Sequence, residues 1–226
     1  MLVEFIGCTG SGKSTIATEV INHLKRSGLD FESLDLGGHL RYDFISLPWF
    51  IKYSIHDVKL CSLALVTLRE NVDSIANGLN LFRNFAKKVG MYELLRKKTS
   101  KRNVIWDEGT VHAAHNLFVH AYEKPDVSAV CEFARLVPLP DLIIYVKSPR
   151  NALIARALAR GHNRINQEKN IPRFIDNAIH VFEILVSQAR IKDKLIIVEN
   201  NENGLTGIEP IAENISEYII NALSFH

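Results

Sequence analysis

Eight residues near the start of the chain, Gly7-Cys8-Thr9-Gly10-Ser11-Gly12-Lys13-Ser14, fit G-x-x-x-x-G-K-[ST], and Thr15 follows them. Glycines at these places let the backbone curl into a nest whose N–H groups turn inward. A helix beginning near Lys13 adds the positive end of its dipole. Such a nest suits a polyphosphate. Lys13 reaches the outer phosphates as a point charge, and the Ser14 hydroxyl is placed to ligate the magnesium ion that accompanies a nucleoside triphosphate. The apolar run Leu2-Val3-Glu4-Phe5-Ile6 ahead and a helical pattern behind supply the strand-then-helix setting that the motif needs.

A second set of chemically able residues lies far along the chain. Asn103-Val104-Ile105-Trp106-Asp107-Glu108-Gly109 reads as a buried strand ending in two acids. In phosphate-loop proteins a second strand delivers an acid to the magnesium shell, so Asp107 pairs with Ser14 there, and Glu108 can take a proton from an attacking hydroxyl or water. Arg156, Arg160 and Arg164 fall at four-residue steps, on one face if their helix continues past Gly161. No acid alternates with them between Arg150 and Asn166. That pattern suits the charge spread over the oxygens of a phosphoryl group in transfer.

Further candidates sit at strand ends. Asp35 and Arg41 sit at the rim where the strand Phe31 to Leu36 ends and could hold a second substrate, or form a solvated turn with incidental charges. His112 is the histidine closest to the acidic strand end, and so a candidate contact for an acceptor. The set His112, His115 and His120 lacks His-Glu-x-x-His spacing and a third ligand, which argues against a metal site built on them. Asn200, in the turn-rich loop Glu199 to Gly204, could border the base of a nucleotide.

These residues must be positioned by an alternation of strands and helices. Ile16, Ala17, Val20, Ile21 and Leu24 recur at helical spacing, and Ser27-Gly28 closes that helix. Strand, helix, strand at this spacing is a right-handed crossover, so the second strand runs parallel to the first. Ile55 to Lys98 reads as helices, with Val72, Ile75, Ala76, Leu79, Phe82, Ala86 and Val89 on one apolar stripe and Gly90 allowing a break before Tyr92. Arg96 to Arg102 is a basic, exposed connection without the aromatic interleaving of nucleic-acid binders. Asp141 to Val146 is a continuous apolar strand of the fully buried parallel kind, followed by Ser148-Pro149 and a helix. Pro172 opens another helix, Lys194 to Val198 is a fifth strand, and Ile208, Ile211, Ile215 and Ile219 mark a last helix.

Composition bounds the rest. A chain of 226 residues that is 47% hydrophobic suits one domain, 1–226, with a large core. Within it, residues about 40–100 form a helical acceptor-side region and about 150–170 a lid. A formal charge of +2 argues against nucleic acid or an anionic membrane as partner. Three scattered cysteines argue against a disulfide framework and point to a reducing, cytoplasmic setting. The start lacks the pattern of a signal peptide, and the most apolar stretch, Phe44 to Tyr53, is too short to span a bilayer.

Five strands with intervening helices, the Gly7 to Ser14 loop, Asp107 at a strand end and the arginines after the Asp141 strand resemble the small phosphate-loop kinases, nearest the thymidylate kinase and deoxynucleoside kinase group. The likeness implies a three-layer α/β fold with a five-stranded parallel sheet and helices on both faces. It also implies ATP as donor, Mg2+, a small-molecule phosphoryl acceptor, a lid carrying Arg156, Arg160 and Arg164, and an acceptor-side loop at Gly37-Gly38; a homodimer stays open. Two positions depart from that group: Asp107-Glu108 lacks the arginine that follows the acid there, and Thr9 stands where thymidylate kinases carry a charge. Both bear on the acceptor's phosphate, which leaves a nucleoside, a sugar or glycan hydroxyl, or another small alcohol as the acceptor. The competing reading is a phosphate-loop ATPase in which the acid pair activates water and closure drives a partner.

Overall fold

The computed structural model describes residues 1–37, 40–71, 74–98, 102–160, 167–201 and 207–224. Its strands are β1 (Leu2–Ile6), β2 (Phe31–Leu34), β3 (Asn103–Asp107), β4 (Leu142–Lys147) and β5 (Leu195–Glu199). They form one sheet in the order β2-β3-β1-β4-β5, and every neighbouring pair is parallel. Parallel strands need crossovers that cover both faces, which is why β1 and β4 are apolar on both sides. In β4, Leu142, Ile144 and Val146 face one layer and Ile143 and Tyr145 the other. Among the described residues this is the three-layer arrangement of the phosphate-loop fold.

One layer is formed by α1 (Lys13–Arg26) and α10 (Ile208–Ser224), whose Ile16, Val20, Leu24, Ala212, Ile215 and Ile219 pack on Val3, Phe5 and Ile144. The opposite layer includes α5 (Ala113–Phe118), α6 (Val127–Leu136), α7 (Arg150–Arg160) and α8 (Ile171–Ser187), with α9 (Ala189–Lys192) leading into β5. Between β2 and β3 run α2 (Leu40–His56), α3 (Val58–Asn71) and α4 (Ile75–Lys98), a helical wall that leaves the carboxyl end of β2 and returns to the amino end of β3. No helix among the described residues is long and apolar enough to cross a membrane.

The wall corrects two expectations. Gly90 does not break the helix: α4 runs through it from Ile75 to Lys98. A Cβ at Gly90 would come within 2.2 Å of the Ser46 carbonyl oxygen, so glycine is needed for the close crossing of α2 over α4. Nearby, Phe50 meets Phe82 and Phe85 edge to face. The apolar stripe is also only half buried. Ile75 and Leu79 are exposed, at 84% and 66%, while Leu81, Phe85 and Val89 make the buried face. Val72 lies outside the described residues.

A single charged residue stands inside β1. Glu4 is fully buried, and its two oxygens accept the N–H groups of Val111 and His112 at 3.2 and 2.8 Å, with the Thr110 hydroxyl at 3.4 Å. It thereby ties the turn after β3 to the centre of the sheet. Burial pushes the Glu4 carboxyl up from 4.5 to about 7, partly offset by those N–H groups and by the Lys88 ammonium. Burial also pushes the His112 imidazole down from 6.5 to about 3, against the pull of Glu108.

These shifts act on stability with opposite signs. Glu4 holds a proton more tightly folded than unfolded, so its contribution is full below about pH 4.5 and is lost as pH rises through about 7. His112 holds a proton less tightly when folded, so its contribution is full above about pH 6.5 and is lost as pH falls toward about 3. Glu4→Gln removes the first effect and leaves the second. In urea denaturation at a series of pH values, the stability advantage of wild type over this variant is expected to shrink between about pH 4.5 and 7. The slope is at most about 1.4 kcal/mol per pH unit. An advantage that stays constant with pH overturns this account of Glu4.

Candidate active site

The phosphate loop joins β1 to α1, and its carbonyl groups are held from outside. The Gly7 oxygen accepts from His112 Nε2 at 3.1 Å, the Cys8 oxygen from the Ser11 N–H at 3.1 Å and the Gly10 oxygen from Arg156 Nη1 at 2.9 Å. The Ser11 oxygen accepts from Asn200 Nδ2 at 2.9 Å and from the Ser148 hydroxyl at 3.1 Å, and the Gly12 oxygen accepts from the Ile16 N–H at the start of α1. With its oxygens engaged outward, the loop keeps its peptide dipoles in the orientation that binds anions. The Cys8 thiol is buried and pushed by that burial up to about 12, so it is inert packing rather than a nucleophile. Thr9 is half-buried and Thr15 is exposed.

Lys13 and Ser14 open α1 and face the end of β3. The Ser14 hydroxyl donates to Asp107 Oδ2 at 2.5 Å, across 93 residues of sequence. The second Asp107 oxygen is buried with no hydrogen-bond partner among the described residues. Burial raises the Asp107 carboxyl, with Lys13 and the Ser14 bond pulling it back. A hydroxyl and a carboxylate with a spare buried oxygen form a hard, oxygen-only donor pair that fits Mg2+. No cluster of three or more His, Cys, Asp or Glu that could hold a metal occurs among the described residues.

Glu108 follows with a backbone φ of 64°, the one left-handed residue other than glycine among the described residues. That conformation is costly for a side chain with a Cβ, and it turns Glu108 out of the strand's alternation. Its Oε1 lies 3.1 Å from Lys13 Nζ and 3.6 Å from His112 Nε2. Burial raises its carboxyl, but His112, Lys13 and Lys88 together hold it well below the ordinary range. His112 is uncharged above about pH 3, so at neutral pH the two ammonium groups carry that effect. The next residue has to be glycine: a Cβ at Gly109 would meet Glu4 Cδ at 2.7 Å and the Trp106 ring at 2.9 Å.

Beside the two acids opens a cavity of about 190 Å3. Its walls come from the end of β2 (Asp35, Leu36, Gly37), from α4 (Asn84, Lys87, Lys88), from Asp107 and Glu108, and from Asn116 on α5. Asp35 accepts from the Gly37 N–H at 2.8 Å and lines this space. Arg41 does not line it. Its guanidinium lies 4.7 Å above the Tyr42 ring and donates to the Tyr42 hydroxyl. His112 is placed beneath the phosphate loop, stacked on His115 at 5.2 Å, rather than in the cavity. Lys87 donates to the Gly37 carbonyl at 2.9 Å and lies 3.7 Å from Asp43.

The arginines divide. Arg156 is committed to the loop through Gly10 and also reaches the Ser148 hydroxyl at 3.4 Å. Arg160 ends α7 and is exposed. Arg164 lies outside the described residues. Asn200 donates to the loop itself, with its side-chain oxygen buried and free of hydrogen bonds among the described residues. Sequence reasoning passed over Glu4 and the pair Lys87-Lys88. Their signal was a charge at an inward position, one inside an apolar strand and two consecutive ones between Phe85 and Val89 of a helix whose buried face continues past them.

No family model matches the chain, and no curated protein matches it in sequence. Among solved structures, it is similar to a deoxyadenosine kinase from M. mycoides with bound dATP. The two are 15% identical, over 95% of this chain and 99% of that one, with a TM-score of 0.48.

Proposed function

We propose that this chain is an ATP- and magnesium-dependent phosphotransferase that moves the γ-phosphoryl group to a hydroxyl of a small molecule. The observation that carries this reading is the meeting of donor and acceptor features at one point. Glu108 contacts the phosphate-loop lysine at 3.1 Å and at the same time lines a walled cavity of about 190 Å3 that the loop itself does not line. A switch that only hydrolyses nucleotide has no need of a second compartment on the far side of its acid pair.

In this reading the loop N–H groups and Lys13 hold the triphosphate, and Ser14 and Asp107 hold the magnesium ion, which offsets phosphate charge. Gly7, Cys8, Thr9, Gly10, Ser11, Gly12 and Thr15 frame the nest, and Asn200, His112 and Arg156 brace it from outside. The acceptor occupies the cavity, where Asp35, Asn84 and Asn116 offer the carboxylate and amide groups that hydroxyl-rich molecules need. Glu108 accepts the proton of the attacking hydroxyl and orients it. Since phosphoryl transfer asks little covalent chemistry of the protein, most of the rate comes from position and charge. Arg160, at the exposed end of α7, closes over the phosphates from the lid.

Incubation with γ-labelled ATP and a panel of nucleosides, nucleotides and sugars tests the reaction. Label is expected in an organic product; label recovered solely as free phosphate, whatever the acceptor, overturns transfer in favour of hydrolysis. Glu108→Gln is expected to lower kcat by about 10²–10⁴-fold with little change in the KM for ATP, and an unchanged kcat removes Glu108 from the reaction. Arg160→Ala is expected to lower turnover on the order of 100-fold while nucleotide affinity moves far less, since its charge is used in the transition state. Equal losses in both would make it a simple binding residue.

A further inference from the structure

Lys88 is the charged side chain of the cavity whose donors meet no acceptor among the described residues. The residue is 6% exposed, and its Nζ has no hydrogen-bond acceptor among the described residues. Its neighbour Lys87 differs, being tied to the Gly37 carbonyl and close to Asp43. A buried ammonium with three unused donors is costly, and proteins keep such a group where a ligand completes it. The surrounding charges say where that ligand lies. Burial pushes the Lys88 ammonium down, and Glu108 first, then Glu4, pull it back up. Lys88 also lines the same cavity as Asp107 and Glu108, and it enters from α4, whereas Lys13 stands at the start of α1.

We propose that Lys88 is a further catalytic residue, whose ammonium binds an oxygen of the transferring phosphoryl group from the acceptor side. This rests on the phosphotransferase reading above. In the step, the acceptor oxygen forms its bond to the γ-phosphorus as the bond from that phosphorus to the bridging oxygen breaks. The electron pair of the broken bond stays on the departing ADP oxygen, and the hydroxyl proton passes to Glu108. Negative charge on the in-flight group then lies between two ammonium groups, Lys13 on the donor side and Lys88 on the acceptor side.

Lys88→Met keeps the bulk and removes the charge. Because it removes a buried ammonium whose donors find no acceptor among the described residues, the variant is expected to melt no lower than wild type while its kcat, with whichever panel acceptor wild type phosphorylates, falls about 100-fold or more. The KM for ATP is expected to stay within about threefold, and the extra affinity for ADP conferred by aluminium fluoride with magnesium, measured by calorimetry, is expected to drop at least tenfold. Lys88→Arg, which keeps a cation, is expected to recover part of the turnover. An unchanged kcat, or a raised acceptor KM at unchanged kcat, overturns the role and leaves the phosphotransferase reading intact. Loss of the fold in both Lys88→Met and Lys88→Gln also overturns it, since the lysine is then structural. Absence of transfer by wild type to every panel member overturns the phosphotransferase reading, and this role with it.

Discussion

Two acids that are adjacent in sequence must face different partners, and the geometry at the end of β3 depends on how that is achieved. In an undistorted strand Asp107 and Glu108 would point to opposite faces of the sheet. Here Asp107 still follows the strand and meets Ser14, while the left-handed backbone of Glu108 swings its carboxylate back to Lys13. Such a conformation costs of order 1–3 kcal/mol, so its surroundings must hold it. Glu4 does so from below, clasping the N–H groups of Val111 and His112, and Gly109 leaves room for the Glu4 carboxyl to pass. A charge buried in the middle strand thus serves the strain at the site edge.

The phosphate loop is kept open by the same kind of distant support. A nest binds anions only while its N–H groups turn inward, and nothing in a bare glycine-rich turn enforces that. In this chain the outward carbonyls are occupied by His112 from the turn after β3, by Arg156 from α7, by Ser148 from the end of β4 and by Asn200 from the end of β5. His112, Ser148 and Asn200 lie beyond the carboxyl ends of β3, β4 and β5, and Arg156 comes from the helix that follows β4. The parallel sheet explains why: aligned strands deliver all their carboxyl ends to one rim, so residues separated by more than a hundred positions converge there.

Legibility in the sequence followed the range of the contacts involved. The strands, the order of elements and the phosphate-loop setting rest on local patterns, and the buried runs at Leu2–Ile6 and Leu142–Lys147 announce a parallel sheet without further information. The role of Gly90 was misread because a glycine in a helix looks the same whether it breaks the helix or admits a neighbour; the Ser46 carbonyl that decides the matter is 44 positions away and on another helix. Arg41 and His112 were placed on the acceptor side by proximity along the chain, whereas side-chain direction takes them to Tyr42 and to Gly7. Lys88 had no local signal beyond a charge near a buried face, since Glu4 lies in the first strand and Glu108 beyond the end of β3, both outside the reach of a helical repeat.

On the phosphotransferase reading, the electrostatic arrangement also bears on how Glu108 acts. A carboxylate held well below its ordinary range by two ammonium groups is a weak proton acceptor in the ground state. In a loose transition state the attacking hydroxyl loses its proton late, so an orienting carboxylate suffices and strong basicity brings little. Lys13, at the start of α1, and Lys88, on α4, hold Glu108 ionised from two different elements. On the phosphotransferase reading, these are the two ammonium groups that flank the transferred group, so one pair of charges sets both the state of the acid and the field at the phosphorus.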